Sequence, residues 1–254
     1  MKDRIVVVTG ASAGIGAACA RAFAREGARL ILTARREDRI RNLADELDRA
    51  YGTPTLALVL DVRDRARVEV VLGSLPPVWS EVDVLVNNAG LGRGLDKLHE
   101  GSPEEWDEMV DTNLKGLLYV TRALLPGMVA RGRGHVINLG SVAGREVYPG
   151  GNVYCATKFA VKALSRAMKV DLLGTPVRVS TVDPGMVETE FSQVRFRGDQ
   201  ERAAKVYQGL TPLTPEDIAE IVVWVASRPQ HVDITEVVVM PTAQSSAMLA
   251  HRGS

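Results

Sequence analysis

Short runs of Val, Ile and Leu alternate along the chain with longer segments in which apolar residues recur at helical spacing. The runs predict strands at 5–8, 29–33, 56–60, 84–86, 135–139, 177–182 and 236–240. Helices are predicted between them at 14–25, 36–51, 63–74, 103–131, 152–173 and 215–227. Nearly continuous apolar strands are typical of a parallel sheet that is buried on both faces. The pattern therefore predicts an α/β fold, a doubly wound parallel sheet of about seven strands with helices on both faces.

One segment, 184–212, interrupts this alternation. It is polar, rich in Arg and Gln, and only weakly periodic. Such an insertion after a late strand is a candidate for a lid over a substrate, although an ordinary surface excursion is the alternative. The sequence shows no repeat, low-complexity run or linker. We therefore expect a single domain over 1–254 with a substrate loop at 184–212 inside it.

Charge and cysteine content narrow the class of protein. The 31 Lys and Arg residues balance the 31 Asp and Glu residues, which argues against nucleic acid or an anionic membrane as a partner. Cys19 and Cys155 cannot form a disulfide framework, and the apolar run at 5–8 is too short for a signal segment or a membrane span. The four histidines have no metal-ligand spacing. These features favour a cytoplasmic protein without a metal site.

A glycine-rich turn, TGASAGIG at 9–16, follows the first strand and opens the first helix. Gly10 would permit the sharp turn, Gly14 would let a pyrophosphate approach the backbone, and Gly16 would allow close packing of helix and sheet. Ser12 and Ile15 complete the predicted phosphate site, whose helix amides face an anion. A purely structural turn is the alternative.

The end of the second strand indicates which dinucleotide is bound. NAD-specific sites place a carboxylate there for the ribose 2′-hydroxyl, whereas this chain has Arg35 and Arg36. Guanidinium groups match the geometry of a phosphate, so the pair predicts NADP(H). Two incidental arginines at a solvated helix start would look the same.

Two further strand ends carry candidate cofactor residues. Asp61 and Val62 follow the third strand, where the carboxylate could accept from an adenine amino group or cap the helix predicted from residue 63. Asn88, Ala89 and Gly90 follow the fourth strand. Ligands of open α/β sheets bind at these carboxyl ends.

Tyr154 and Lys158 form the candidate acid–base pair. Their i, i+4 spacing places them on one face of the predicted helix 152–173. A nearby ammonium lowers the pKa of a phenol, which would make Tyr154 usable as an acid or base near neutral pH. Ser141 lies thirteen positions earlier, just past the fifth strand, and Asn113 interrupts the long predicted helix 103–131.

Taken together, TGASAGIG, NNAG, Asn113, Ser141, YCATK and the DPG at 183–185 resemble the short-chain dehydrogenase/reductase family over nearly the whole chain. The resemblance implies a Rossmann-like fold. It also implies that Tyr154 is the proton-transfer group and that Lys158 binds the nicotinamide ribose and lowers the pKa of Tyr154. Ser141 would bond the substrate oxygen, and Asn113 would support a relay water. The family's nicotinamide-side loop matches Pro184, Gly185, Val187 and Thr189.

Segments 150–154, 191–199 and 213–218 resemble more closely the NADP-dependent 3-hydroxy acid dehydrogenases, a branch that acts on serine, allo-threonine and malonic semialdehyde. A small acid needs a cation for its carboxylate, and Arg195 and Arg197 lie on the predicted lid. In an extended segment they would face opposite ways, so only one would point inward. Arg145 and Arg93 are weaker candidates.

Other readings stay open. A broad carbonyl or 3-oxoacyl reductase of the same family would use the same four catalytic residues, and an idle NADP-binding sensor would be a different class of protein. The apolar stripe of the predicted helix 103–131 is broad enough to serve a subunit interface as well. Family resemblance implies a homotetramer, with the helix 152–173 also at an interface.

Overall fold

Seven parallel strands form one sheet in the computed structural model, which describes residues 1–253. They are β1 Ile5–Thr9, β2 Arg29–Ala34, β3 Thr55–Val59, β4 Val82–Asn87, β5 Gly134–Leu139, β6 Val177–Pro184 and β7 Glu236–Val239. Their spatial order is β3-β2-β1-β4-β5-β6-β7. The order reverses between β1 and β4, and this reversal opens a crevice at the carboxyl ends of those strands. The predicted fold class is confirmed.

The helices connect successive strands and cover both faces of the sheet. They are α1 Gly14–Arg25, α2 Glu37–Tyr51, α3 Arg65–Gly73, α4 Pro103–Val110, α5 Leu117–Ala130, α6 Asn152–Asp171, α7 Phe191–Arg195, α8 Gln200–Lys205 and α9 Pro215–Ala226. Predicted and observed ends agree to within two residues, except in the region 103–131 and the loop that carries α7 and α8. No helix of residues 1–253 is long and apolar enough to cross a membrane.

The core consists of two apolar layers, one on each side of the sheet. Val6 and Val8 of β1 face the layer that contains α1, α2 and α9, whereas Val7 faces the layer that contains α3 and α5. All three valines are fully buried, and each such burial stabilises the fold by about 1.5 to 3 kcal/mol. The sheet is thus a rigid platform, and the ligand-facing residues lie at its carboxyl edge.

The prediction of a single helix at 103–131 is wrong. α4 and α5 are separated by a π-helical segment, Asp111–Gly116, with Asn113 inside it. The side chain of Asn113 bonds the backbone of Leu91, at 2.8 Å for both Leu91 N to Oδ1 and Nδ2 to Leu91 O. The segment that makes these two bonds is wound more widely than an α-helix. Such π-helical turns are common at functional sites.

The predicted insertion folds into α7 and α8 rather than an extended segment. Asp199 begins α8 because its side chain accepts from the Arg202 N–H at 3.0 Å. Arg195 ends α7, and Arg197 follows with a positive φ of 52°. The two arginines do not lie in an extended strand, but only Arg195 lines the cavity, as the expectation that one of them points inward requires.

Candidate functional site

The glycine turn lies at the crevice between β1 and β4. Gly10 has a φ of 65°, which favours glycine, and a Cβ on Gly16 would lie 2.5 Å from the Gly10 carbonyl oxygen. The residue that begins α1 is Ala13, whose side chain offers no cap to the first-turn amides. The positive end of α1 therefore faces the crevice, as a phosphate requires.

A basic cluster lies beside the glycine turn. The Ser12 hydroxyl accepts from Arg36 through Nε at 3.1 Å and Nη2 at 3.0 Å. Arg36 Nη1 and Arg39 Nη1 donate to the carboxylate of Glu190, at 2.9 and 2.5 Å. Arg35 lines the same cavity. Arg39 was not predicted, although its helical spacing from Arg36 is a signal that could have indicated it.

Asp61 is engaged by its own neighbour. Its carboxylate accepts from the Arg63 N–H at 3.0 Å and from Arg63 Nη2 at 2.6 Å. The residue that caps α3 is Asp64, whose side chain accepts from the Arg67 N–H at 3.0 Å. The alternative that Asp61 caps this helix is therefore wrong, while Val62 beside it lines the cavity.

The segment after β4 is held against the glycine turn. Asn88 Nδ2 donates to the Thr9 carbonyl at 2.8 Å, and the N–H groups of Asn88 and Ala89 donate to the Thr9 hydroxyl at 3.0 Å. Ala89 and Gly90 are thereby fixed at the cavity wall. A Cβ on Gly90 would lie 3.3 Å from Asn113 Oδ1 and 3.8 Å from Lys158 Nζ.

Tyr154, Lys158 and Ser141 meet at the middle of the cavity. The Lys158 ammonium donates to the Leu139 carbonyl at 2.8 Å and lies 5.9 Å from the centroid of the Tyr154 ring. The Ser141 hydroxyl accepts from the Ala143 N–H at 3.1 Å. α6 thus brings a phenol and an amine together beside a hydroxyl from the loop after β5.

Burial shifts the pKa of both α6 groups. It lowers the pKa of Lys158 from 10.5 to about 8, with Asp183 opposing. It raises the pKa of Tyr154, and the Arg195 guanidinium and a hydrogen bond with Ser141 oppose that shift. Arg195 thus acts to lower the pKa of the phenol, and the same effect expected of Lys158 stays a prediction.

The Asn113 side chain makes three hydrogen bonds. Besides the two bonds to the Leu91 backbone, its Nδ2 donates to the Thr157 hydroxyl at 3.1 Å. Both ends of the amide are used in tying the π-helical segment to α6 and to the loop after β4.

Arg195 extends from α7 over Tyr154. Its guanidinium carbon lies 4.9 Å from the Tyr154 ring centroid and 5.0 Å from that of Phe191. Nη2 donates to the Tyr148 hydroxyl at 2.9 Å, whereas the buried Nε has no partner among residues 1–253. No motif indicated Tyr148, which reaches the site only through the tertiary fold.

The other candidate arginines are engaged elsewhere. Arg197 is largely exposed and pairs with Glu105 at 2.8 Å. Arg93 pairs with Glu108 at 2.7 Å, and Arg145 pairs with Asp183 at 2.6 Å. Of the four candidate arginines, only Arg195 lines the cavity.

The cavity that these groups surround has a volume of about 650 Å³. The predicted residues that line it are Gly10, Ser12, Gly14, Ile15, Arg35, Arg36, Val62, Asn88, Ala89, Gly90, Ser141, Tyr154, Lys158, Pro184, Gly185, Val187, Thr189 and Arg195. Gly16, Asp61, Asn113 and Arg197 lie outside its lining. Within residues 1–253, no three His, Cys, Asp or Glu side chains lie close enough together to hold a metal ion. The glycine turn, the uncapped amides of α1 and the terminal arginines fit an extended, phosphorylated dinucleotide.

Comparison with known proteins defines the class. The short chain dehydrogenase family model matches residues 4–200, and the chain belongs to that family. A relative from Salmonella typhi, named an NADP-dependent 3-hydroxy acid dehydrogenase, is 54% identical over 250 residues, or 98% of this chain and 99% of the relative.

Solved structures give a consistent result. The closed form of a serine dehydrogenase complexed with NADP+ matches with a TM-score of 0.92 and 51% identity, covering 98% of this chain and 99% of that one. Serine dehydrogenase from Escherichia coli matches with a TM-score of 0.82 and 46% identity, covering 95% and 99%.

Proposed function

We propose that this protein is an NADP-dependent oxidoreductase that interconverts a small 3-hydroxy acid and its 3-oxo acid. The observation that carries the proposal is the partly buried Arg195 guanidinium beside Tyr154, whose buried Nε has no partner among residues 1–253. A cation at this place can neutralise a substrate carboxylate while the phenol exchanges a proton with the substrate oxygen. The names of the relatives, which include serine dehydrogenases and 3-hydroxy acid dehydrogenases, support this substrate class.

Membership of the short chain dehydrogenase family supports the following roles for the residues around Tyr154. The phenol donates its proton to the carbonyl oxygen in reduction and accepts it from the hydroxyl in oxidation. Ser141 positions that oxygen, and Lys158 holds the ribose hydroxyls of the cofactor. Asn113 holds the π-helical segment and the Leu91 loop beside Lys158.

The cofactor itself supplies or accepts the hydride when it is bound. The chain's own contribution is a binding site with three parts. Gly10, Gly14 and the start of α1 receive the pyrophosphate, while Ser12, Arg35 and Arg36 receive the 2′-phosphate. The nicotinamide end would rest among Pro184, Gly185, Val187 and Thr189.

A steady-state substrate panel tests the activity. With NADP, we expect L-serine, L-allo-threonine and 3-hydroxypropionate to be turned over, and with NAD we expect a catalytic efficiency at least tenfold lower. Turnover of bulky neutral ketones with inert acids would favour a broad carbonyl or 3-oxoacyl reductase instead. Binding of NADP without turnover of any compound, unchanged by Tyr154→Phe, would favour a sensor.

We also propose that the chain forms a homotetramer in a cytoplasmic, reducing compartment. Leu118, Phe159, Val170 and Leu173 leave apolar surface exposed on or just after α5 and α6, and both cysteines are free and buried. Light scattering should give about four times the 27.5 kDa chain mass. A mass of one chain would contradict the tetramer.

A further inference from the structure

Glu190 joins two parts of the molecule that are far apart in sequence. It lies just before α7, in the loop after β6, and its two carboxylate oxygens bind different guanidinium groups. Oε2 lies 2.9 Å from Arg36 Nη1, and Oε1 lies 2.5 Å from Arg39 Nη1. Hydrogen bonds from Arg39 and Arg36 hold the pKa of Glu190 below its usual range, so this carboxylate is charged at neutral pH.

The Arg36–Glu190 pair lies at the wall of the cofactor cavity, and Arg39, which is not among the lining residues, adjoins that wall through Glu190. Ser12, Arg36 and Glu190 all line the cavity. The preceding residue, Thr189, is packed against the glycine turn, where a Cβ on Gly14 would lie 3.3 Å from its side chain. The segment 189–190 therefore crosses from the lid to the basic cluster.

A 2′-phosphate and the Glu190 carboxylate need the same donors. Both are oxyanions that guanidinium groups recognise through paired N–H bonds. Arg36 Nη1 cannot keep its bond to Glu190 at 2.9 Å and at the same time direct that N–H at a phosphate oxygen. The like charges of the carboxylate and the phosphate also repel each other.

We propose that Glu190 is an internal competitor for the 2′-phosphate site, and that Arg39 is a further guanidinium of that site. This inference rests on the proposed preference for NADP. The pairs are roughly two-fifths exposed, so the competition is modest. Exposed ion pairs of this kind correspond to about a three- to tenfold change in affinity for two pairs together.

The competitor also links the two ends of the cavity. Glu190 immediately precedes α7, which carries Arg195. A 2′-phosphate that displaces Glu190 releases the segment before α7 from the two arginines. A cofactor without that phosphate leaves the Glu190 carboxylate paired with Arg36 and Arg39. Glu190 thus contributes to specificity through the lid as well as through charge.

The test compares the binding of adenosine 2′,5′-bisphosphate and adenosine 5′-monophosphate by calorimetry. Glu190→Gln should bind the bisphosphate about three- to tenfold more tightly and the monophosphate unchanged. Arg39→Gln should weaken binding of the bisphosphate alone. Glu188 is exposed and lies two residues before Glu190, so Glu188→Gln removes an equal charge from the same segment. This control should change neither affinity by more than about twofold.

The outcomes separate this inference from the function on which it rests. If the wild-type protein prefers the bisphosphate and Glu190→Gln leaves its affinity unchanged or weaker, the competition is overturned while the preference for NADP stands. If the wild-type protein and Glu190→Gln both bind the two ligands equally, the NADP preference is overturned as well. Thermal unfolding of each variant checks that the fold is intact.

Discussion

Burial of the Lys158 ammonium costs stability at the place where the proposed mechanism needs a cation. Its side chain is buried, and its ammonium has a backbone carbonyl, that of Leu139, as hydrogen-bond partner. Burial lowers its pKa to about 8 from 10.5. Because the folded state binds the proton less tightly than the unfolded chain, the stability cost is full below pH 8 and disappears as the pH rises towards 10.5. A shift of this size corresponds to about 3 kcal/mol.

Replacement of Lys158 by Met should therefore separate stability from activity. We expect turnover to fall at least about a hundredfold, because the group proposed to hold the cofactor ribose is lost. The free energy of unfolding at pH 7 should rise by about 1 to 3 kcal/mol, since an apolar side chain replaces a buried cation. Urea unfolding and steady-state kinetics measure the two effects.

Lys162→Met is the matched control for this substitution. Lys162 lies one turn further along α6 and is partly exposed, so its replacement should leave turnover unchanged. A Lys158→Met protein that is less stable than the wild type at pH 7 would contradict the argument from burial.

At the scale of elements, α7 determines which arginine faces the site. Arg195 is the last residue of the helix and lies over Tyr154, whereas Arg197 follows two residues later in a left-handed conformation and points to Glu105. The helix is held in place because the Arg195 carbonyl accepts from the Gly94 N–H at 3.2 Å. Because the helix ends between them, Arg195 faces the cavity and Arg197 faces the surface.

The pair Arg195→Gln and Arg197→Gln tests this division. Loss of the Arg195 cation should raise the KM for a 3-hydroxy acid by about 10- to 100-fold, the range for a charge-assisted hydrogen bond. The KM for a neutral ketone should change much less, and Arg197→Gln should change neither value by more than about twofold. Equal effects of the two variants on the acid would show that Arg195 has no special role.

At the scale of the whole molecule, we expect stability in acid to depend on a histidine that is buried in the sheet. His135 of β5 is buried and its Nε2 lies 2.8 Å from the Ser180 hydroxyl of β6. Burial lowers its pKa to about 3, from 6.5. Between these values the unfolded chain binds a proton that the folded protein does not, so stability decreases as the pH falls below 6.5.

Urea unfolding at pH 7.5 and pH 5 should show this dependence. His135 should account for about 2 kcal/mol of the loss between the two conditions. The loss should be smaller by that amount in His135→Gln, whatever its stability at pH 7.5. His99→Gln, which changes a largely exposed histidine, should behave like the wild type. An identical loss in His135→Gln would mean that other groups cause the acid sensitivity.

The sequence determined the sheet and the middle of the site, because these depend on local patterns. Continuous apolar runs predicted the strands to within two residues, and strand ends of a parallel sheet share one edge. The spacing of Tyr154 and Lys158 on one helix brings them together without further information. Asn113, a poor helix former, marked the place of the break in the long helix, but the π-helical turn there was not predicted, because the bond of Asn113 to Leu91 joins distant segments.

Only the tertiary structure decided which side chains meet one another at the two ends of the cavity. Arg195 and Arg197 are the same residue type in the same segment, so the sequence does not distinguish them. Their side chains point in different directions because α7 ends between them. Tyr148 meets Arg195 across 47 positions, and Glu190 meets Arg39 across 151. Contacts between such distant side chains depend on how the lid packs over the sheet, and local periodicity carries no information about that packing.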